Sequence, residues 1–94
     1  MSWIMYSIIY TNKFKKDLRL CDKRNYDIPK LREAIKILQE TGQLPAQYKP
    51  HKLKGKYAGL WECHIEPDWL MTWEQNDRQL IILLMETGTH SDLF

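Results

Sequence analysis

Several features are scarce in this chain, and each scarcity excludes something. No apolar run approaches the roughly 20 residues that a membrane span needs. The N-terminus lacks the charged start, apolar stretch and small-residue cleavage site of a secretory signal, so a cytoplasmic protein with no membrane partner is expected. The two cysteines, Cys21 and Cys63, stand without C-x-x-C spacing, which argues against a metal or redox motif. Both read as small buried residues in a reducing compartment. Repeats, low-complexity stretches and linkers are also missing. At 94 residues the chain can build one modest core but not two, so residues 1–94 are read as a single domain. Met5 offers a second start behind an exposed-looking Trp3.

Acidic residues are scarce in one part only. Residues 1–59 carry 13 Lys+Arg and 5 Asp+Glu, a balance of +8, whereas residues 60–94 carry 1 and 7, a balance of −6. The overall charge of +2 conceals that split. Such asymmetry suggests an anionic partner for part of the surface, although basic helices are often only solvated faces.

What is present reads as strand, helix, helix, strand, strand, strand. Residues 6–10 (Y-S-I-I-Y) are rich in aromatic and β-branched types and read as a short strand. Thr11 or Asn12 caps a first helix to about Arg24, with Phe14, Leu18 and Cys21 facing inward and Lys13, Lys15, Lys16, Arg19 and Lys23 on its basic face. Asp27 caps a second helix, Pro29 is tolerated in its first turn, Leu31, Ile35 and Leu38 form its stripe, and Gly42 stops it. Residues 44–59 form a loop punctuated by Pro45, Pro50, Gly55 and Gly59. Residues 60–65, 69–74 and 79–85 read as strands joined by turns at Pro67-Asp68 and Asn76-Asp77, an antiparallel meander. The expected fold is α+β, an antiparallel sheet with a helical hairpin on one face.

All three histidines sit in polar or mixed settings, and imidazole is the side chain suited to moving protons near neutral pH. Strand alternation places His64 with Glu62 and Glu66, and Trp61, Cys63 and Ile65 on the other face. Asp68, just past the turn, stands where it could hold the His64 ring. A surface histidine without a role is the plainer reading of that spacing alone. A zinc site is disfavoured because no histidine pair has short ligand spacing. The loop Q-Y-K-P-H-K-L-K-G-K-Y interleaves Lys49, Lys52, Lys54 and Lys56 with Tyr48 and Tyr57, a mixture of phosphate-neutralising cations and stacking rings suited to single-stranded RNA. A solubilising loop with inward tyrosines fits equally well. Trp61 is assigned to the core. The polar tail that follows the last strand directly, with His90 and Asp92, looks like part of a site rather than a frayed end.

His51, the segment G-K-Y-A-G-L-W-E-C-H-I-E-P-D-W-L (residues 55–70) and T-G-T-H-S-D-L-F (residues 87–94) resemble YafQ-type toxins of the RelE/ParE superfamily, small messenger-RNA endonucleases of bacterial toxin–antitoxin pairs. The resemblance spans the whole chain and implies a RelE/ParE-like β-α-α-β-β-β fold. It also implies ribosome-dependent, metal-independent cleavage by attack of a ribose 2′-hydroxyl on the adjacent phosphate. It maps His51, His64, Asp68, His90 and Phe94 onto functional positions: His51 or His64 as base, Asp68 orienting or assisting, His90 as acid, Phe94 against the substrate base. Lys52, Lys54, Lys56 and Tyr57 would hold the RNA. The implied partners are a cognate antitoxin that covers the basic surface, the ribosome with its message, and operator DNA through the antitoxin complex only. One departure stands out: Glu86 occupies the place of an arginine that would clamp the phosphate. A weakened toxin, a substitute cation such as Lys54 or Arg78, or an altered residue would each account for it. The alternative function is a catalytically silent toxin-fold protein that serves as antitoxin/DNA co-repressor or inhibits another target in the manner of ParE relatives.

Overall fold

The computed structural model describes residues 5–94, so the expectations for Trp3 and for the residues before Met5 fall outside it. The elements run β1 Ser7–Tyr10, α1 Asn12–Lys23, α2 Ile28–Thr41, β2 His51–Lys52, β3 Trp61–Glu66, β4 Trp69–Asn76, β5 Ile81–Gly88 and α3 His90–Leu93. The strands form one sheet in the order β1-β5-β4-β3-β2. The α+β architecture and the helical pair are as expected. The sheet, however, is mixed rather than antiparallel, because β1 lies parallel to β5 with Ser7 opposite Ile81 and Tyr10 opposite Leu84. That pairing joins the two ends of the chain, so no local turn signals it. The expected loop also contains a strand, β2, whose two residues pair with β3 and are too few to show a period.

Helix α1 begins where the Thr11 hydroxyl accepts from Phe14 N–H at 3.1 Å and donates to the Leu84 carbonyl at 2.7 Å, fastening the β1–α1 junction to β5. Asp27 stands at the N-cap of α2, but its side chain makes no capping bond; Pro29 in the first turn has removed one of the amides that needed a partner. Gly42 ends α2 in the left-handed conformation, φ 74°. Phe14 and Cys21 from α1 and Leu31, Ala34, Ile35 and Leu38 from α2 are buried against Cys63, Met71, Trp73, Ile82 and Leu84. Full burial of a side chain such as Phe14 stabilises by about 1.5–3 kcal/mol. Trp69 and Trp73 belong to this core, whereas Trp61 lies half-buried at its margin, stacked on Trp73 at 6.1 Å.

Two irregularities re-aim side chains. Thr72 pairs with Glu86 and Trp73 with Leu84, so Met85 is an extra residue in β5. Such a bulge shifts the alternation by one: Ile82 and Leu84 face the helices, yet Glu86 turns to the opposite, open face with Thr72. The last strand therefore starts two residues later and runs three further than expected. In β3 the register slips between His64 and Glu66. Glu66 consequently leaves the face of His64 and reaches Lys30 of α2 at 3.9 Å, against the simple alternation.

Candidate functional site

The open face of the sheet carries a row of paired residues across four strands: His51 opposite Glu62, Glu62 opposite Thr72, Thr72 opposite Glu86. Two residues along, His64 is opposite Leu70 and Leu70 opposite Gly88. The sequence expected Glu62 on a solvated polar face, but its side chain is only 8% exposed. Glu62 is held there by His51, whose Nε2 lies 3.2 Å from its carboxylate. His51 Nδ1 lies 3.0 Å from the Lys49 carbonyl. A backbone carbonyl and a carboxylate thus occupy both ring nitrogens of His51. The buried Thr72 hydroxyl, in the middle of the row, has no hydrogen-bond partner among the described residues.

His64 differs. Its Nδ1 lies 3.2 Å from the Pro67 carbonyl, which fixes the hydrogen on Nδ1 and leaves Nε2 bare as an acceptor. His64 also borders a cleft of about 300 Å³ at the unpaired outer edge of β3, lined by Lys30, Gln47, Lys49 and Glu66. The expectation that Asp68 orients the His64 ring is corrected by these contacts. Asp68 Oδ1 instead accepts the backbone N–H of His90 at 3.1 Å, because the Pro67-Asp68 turn folds its carbonyl back to the ring and sends the Asp68 carboxylate to the tail.

The tail is an ordered turn of helix. Thr89 and Asp92 form a reciprocal capping box, and Arg24, at the end of α1, grips Asp92 through both guanidinium nitrogens at 2.6 and 3.3 Å. The Arg24 hydrogen bond, and after it the Thr89 N–H, hold the Asp92 carboxyl well below the usual carboxylate range. His90 is exposed, with its ring 5.2 Å from that of Phe94. Phe94 in turn stands edge-on to Tyr57 at 4.8 Å. Tyr57 therefore joins the tail rather than only the basic loop. Lys52 lies over Trp61 at 5.5 Å and Lys56 over Tyr57 at 5.2 Å, and Lys54 is exposed.

Glu86 lies 3.6 Å from Lys13, which also pairs with Asp17 at 2.6 Å. The cation beside it thus comes from α1, not from Lys54 or Arg78; Arg78 sits in the turn before β5, beyond Ile81, which is itself roughly 17 Å from Glu86 along the strand. Among the described residues no group of three His, Cys, Asp or Glu is arranged to hold a metal ion. Sequence reasoning missed the roles of Arg24 and Lys13, which reach the site from α1 and its end, and the pairing of Glu62 with His51. Only the role of Asp92 had a local signal, the T-x-x-D spacing of a capping box.

A family model for the bacterial toxin of the type II toxin–antitoxin system, YafQ, matches residues 6–94. The mRNA interferase toxin YafQ of Escherichia coli K12 is 37% identical over 92 residues, covering 97% of this chain and 98% of that protein. The E. coli DinJ–YafQ toxin–antitoxin complex superposes with a TM-score of 0.87 at 36% identity, over 97% of this chain and 99% of the toxin. A metal-bound toxin from Helicobacter pylori gives a TM-score of 0.86 at 33% identity, over 96% and 100%.

Proposed function

Since the chain belongs to the YafQ family of bacterial type II toxins, we propose that it is an mRNA interferase, an endoribonuclease acting on messenger RNA at the ribosome. Residues 1–94 act as one toxin domain in the cytoplasm. An antitoxin covers the basic surface, and operator DNA is reached only through that complex. The observation that carries the catalytic reading is the contrast between the histidines of the open face: His64 keeps Nε2 bare, whereas both nitrogens of His51 are engaged.

His64 Nε2 takes the proton from the ribose 2′-hydroxyl as the 2′-oxygen bonds to phosphorus. His90 gives a proton to the departing 5′-oxygen as its bond to phosphorus breaks, leaving a cyclic phosphate. General acid and base together contribute on the order of 10²–10⁴-fold each. Lys52, Lys54 and Lys56 supply positive charge around the pentavalent phosphate, His51 holds Glu62 in place on the same face, and Tyr57 and Phe94 offer rings to a base. Asp68 holds the backbone of His90. Lys13 offsets part of the charge that Glu86 brings to this face.

Primer-extension mapping of a message in a purified translation reaction tests this, with the chain, its His64→Ala and Glu86→Arg variants, and RNA without ribosomes. Ribosome-dependent cuts by the chain, lost in His64→Ala and strengthened in Glu86→Arg, are expected. Unchanged cutting by a folded His64→Ala overturns the assignment of the base. A second reading, a toxin-fold protein that binds an antitoxin without cutting, is favoured by Glu86; silence from both the chain and Glu86→Arg would establish it.

A further inference from the structure

Four residues of helix at a chain end cannot hold themselves, since a first turn costs more order than its bonds return. Yet α3 carries His90 and Phe94 at fixed places, so something outside it must supply the order. Burial of Leu93 and the Tyr57–Phe94 contact anchor it, and three polar contacts set its direction. Arg24 forks onto both oxygens of Asp92; Asp92 Oδ2 also accepts the Thr89 N–H at 2.8 Å; and Asp68 takes the His90 N–H. Gly88 makes room for this: a Cβ there would meet Asp92 Oδ2 at 2.8 Å and Asp92 Cβ at 3.0 Å. The guanidinium starts from a well-anchored place, because the Arg24 N–H itself closes the end of α1 on the Leu20 and Cys21 carbonyls.

We propose that Arg24 and Asp92 form a latch across the molecule that positions the C-terminal turn, making both of them positioning residues for cleavage. Neither touches the reacting atoms. Arg24 acts through Asp92, Asp92 through the Thr89 cap, and the cap through the direction in which His90 leaves β5. A fork on a carboxylate restrains rotation as well as distance, which a lysine in the same place would not do. The proposal rests on the reading of His90 as a catalytic group, but the latch itself can be observed without any activity.

The test combines two measurements on Arg24→Ala, Arg24→Lys and Asp92→Asn. Backbone ¹⁵N relaxation of residues 89–94 reads the order of the tail, and ribosome-dependent cleavage reads kcat and KM. Arg24→Ala and Asp92→Asn are expected to loosen the tail and lower kcat about 10- to 100-fold, the cost of a misplaced group, with KM and the thermal midpoint little changed. Arg24→Lys recovers part of the loss, because a single cation keeps the distance but not the fork. A tail as ordered in Arg24→Ala and Asp92→Asn as in the parent overturns the latch, and a loosened tail with undiminished kcat overturns its role in positioning. If the parent cuts nothing, the functional reading fails while the relaxation data still decide the latch.

Discussion

At the end of the sheet where β4 turns into β5, the Tyr6 hydroxyl donates to Asp77 at 2.7 Å. There Gln75 donates to Asp77 at 2.8 Å and to the Gly42 carbonyl at 2.9 Å, and the Trp73 indole donates to Gln75 at 2.9 Å. At the opposite end Arg24, Asp92, Thr89 and Asp68 make bonds of the same length. The two networks differ in what they consume. The first engages side chains that have no other task and ties α2, β1 and β4 together. The second engages the backbone of the tail and leaves the His90 ring outside. A site needs the second kind, because a reactive ring bound into a network is no longer available to a substrate.

The sharpest way to break this contrast is to delete a ring at one end and a hydroxyl at the other. His90→Ala should lower ribosome-dependent cleavage by about 100-fold or more and leave the thermal midpoint where it was, since that ring makes no hydrogen bond that the fold uses. Tyr6→Phe should do the reverse. Loss of a hydrogen bond to a carboxylate costs about 1.5–3 kcal/mol, at roughly 4–8 °C per kcal/mol for a domain of this size, with kcat unchanged. A Tyr6→Phe variant that stays as stable yet cuts tenfold less would mean that the two ends are not separable.

How much of this was legible beforehand follows the same division. The stripes Phe14, Leu18, Cys21 and Leu31, Ile35, Leu38, the stop at Gly42 and the Pro67-Asp68 turn are local patterns, and the structure has them. The parallel pairing of β1 with β5 depends on residues more than 70 positions apart, and a two-residue strand such as β2 has no period to read. Bulges defeat alternation altogether: Met85 turns Glu86 to the open face and the slip after His64 sends Glu66 to α2. Within the site, His64, His90 and Phe94 stood out through residue type and the family likeness. The contacts of Asp68 with His90 and of Arg24 with Asp92 are long-range and charged, so their partners could not be chosen from a list of surface ions.

A change of pH separates the latch from the reaction it serves. Asp92 is held below its ordinary value, near 3.9 in an unfolded chain, first by Arg24 and then by the Thr89 N–H. A carboxylate with a depressed folded value contributes in full above the unfolded value, and that contribution fades only as pH falls through the folded one. Between about pH 5 and 8 the order of residues 89–94 should therefore stay constant by ¹⁵N relaxation. Cleavage that changes in this window while the tail does not must owe the change to groups other than Asp92. A tail that loosens in the same window would show that the latch titrates with the reaction, and the contrast between a backbone-holding network and free reactive rings would collapse.

The smallest effect expected concerns single cations, one in the basic loop and one in the turn between β4 and β5. Lys52 and Lys56 lie over aromatic rings, so removing either also disturbs packing, whereas exposed Lys54 can be changed with charge as the main variable. Lys54→Gln should reduce the slope of log affinity against log salt by about 0.7 for a single-stranded RNA, with a weakening that is severalfold at low salt and fades as salt screens the contact. Arg78→Gln, at the Asp77 end, removes the same charge from the turn before β5 and should leave the slope unchanged. Equal reductions for both would mean that RNA also runs over the turn between β4 and β5, and the Tyr6–Gln75–Asp77 network would then have to be counted as part of the binding surface rather than as the fold's fastening.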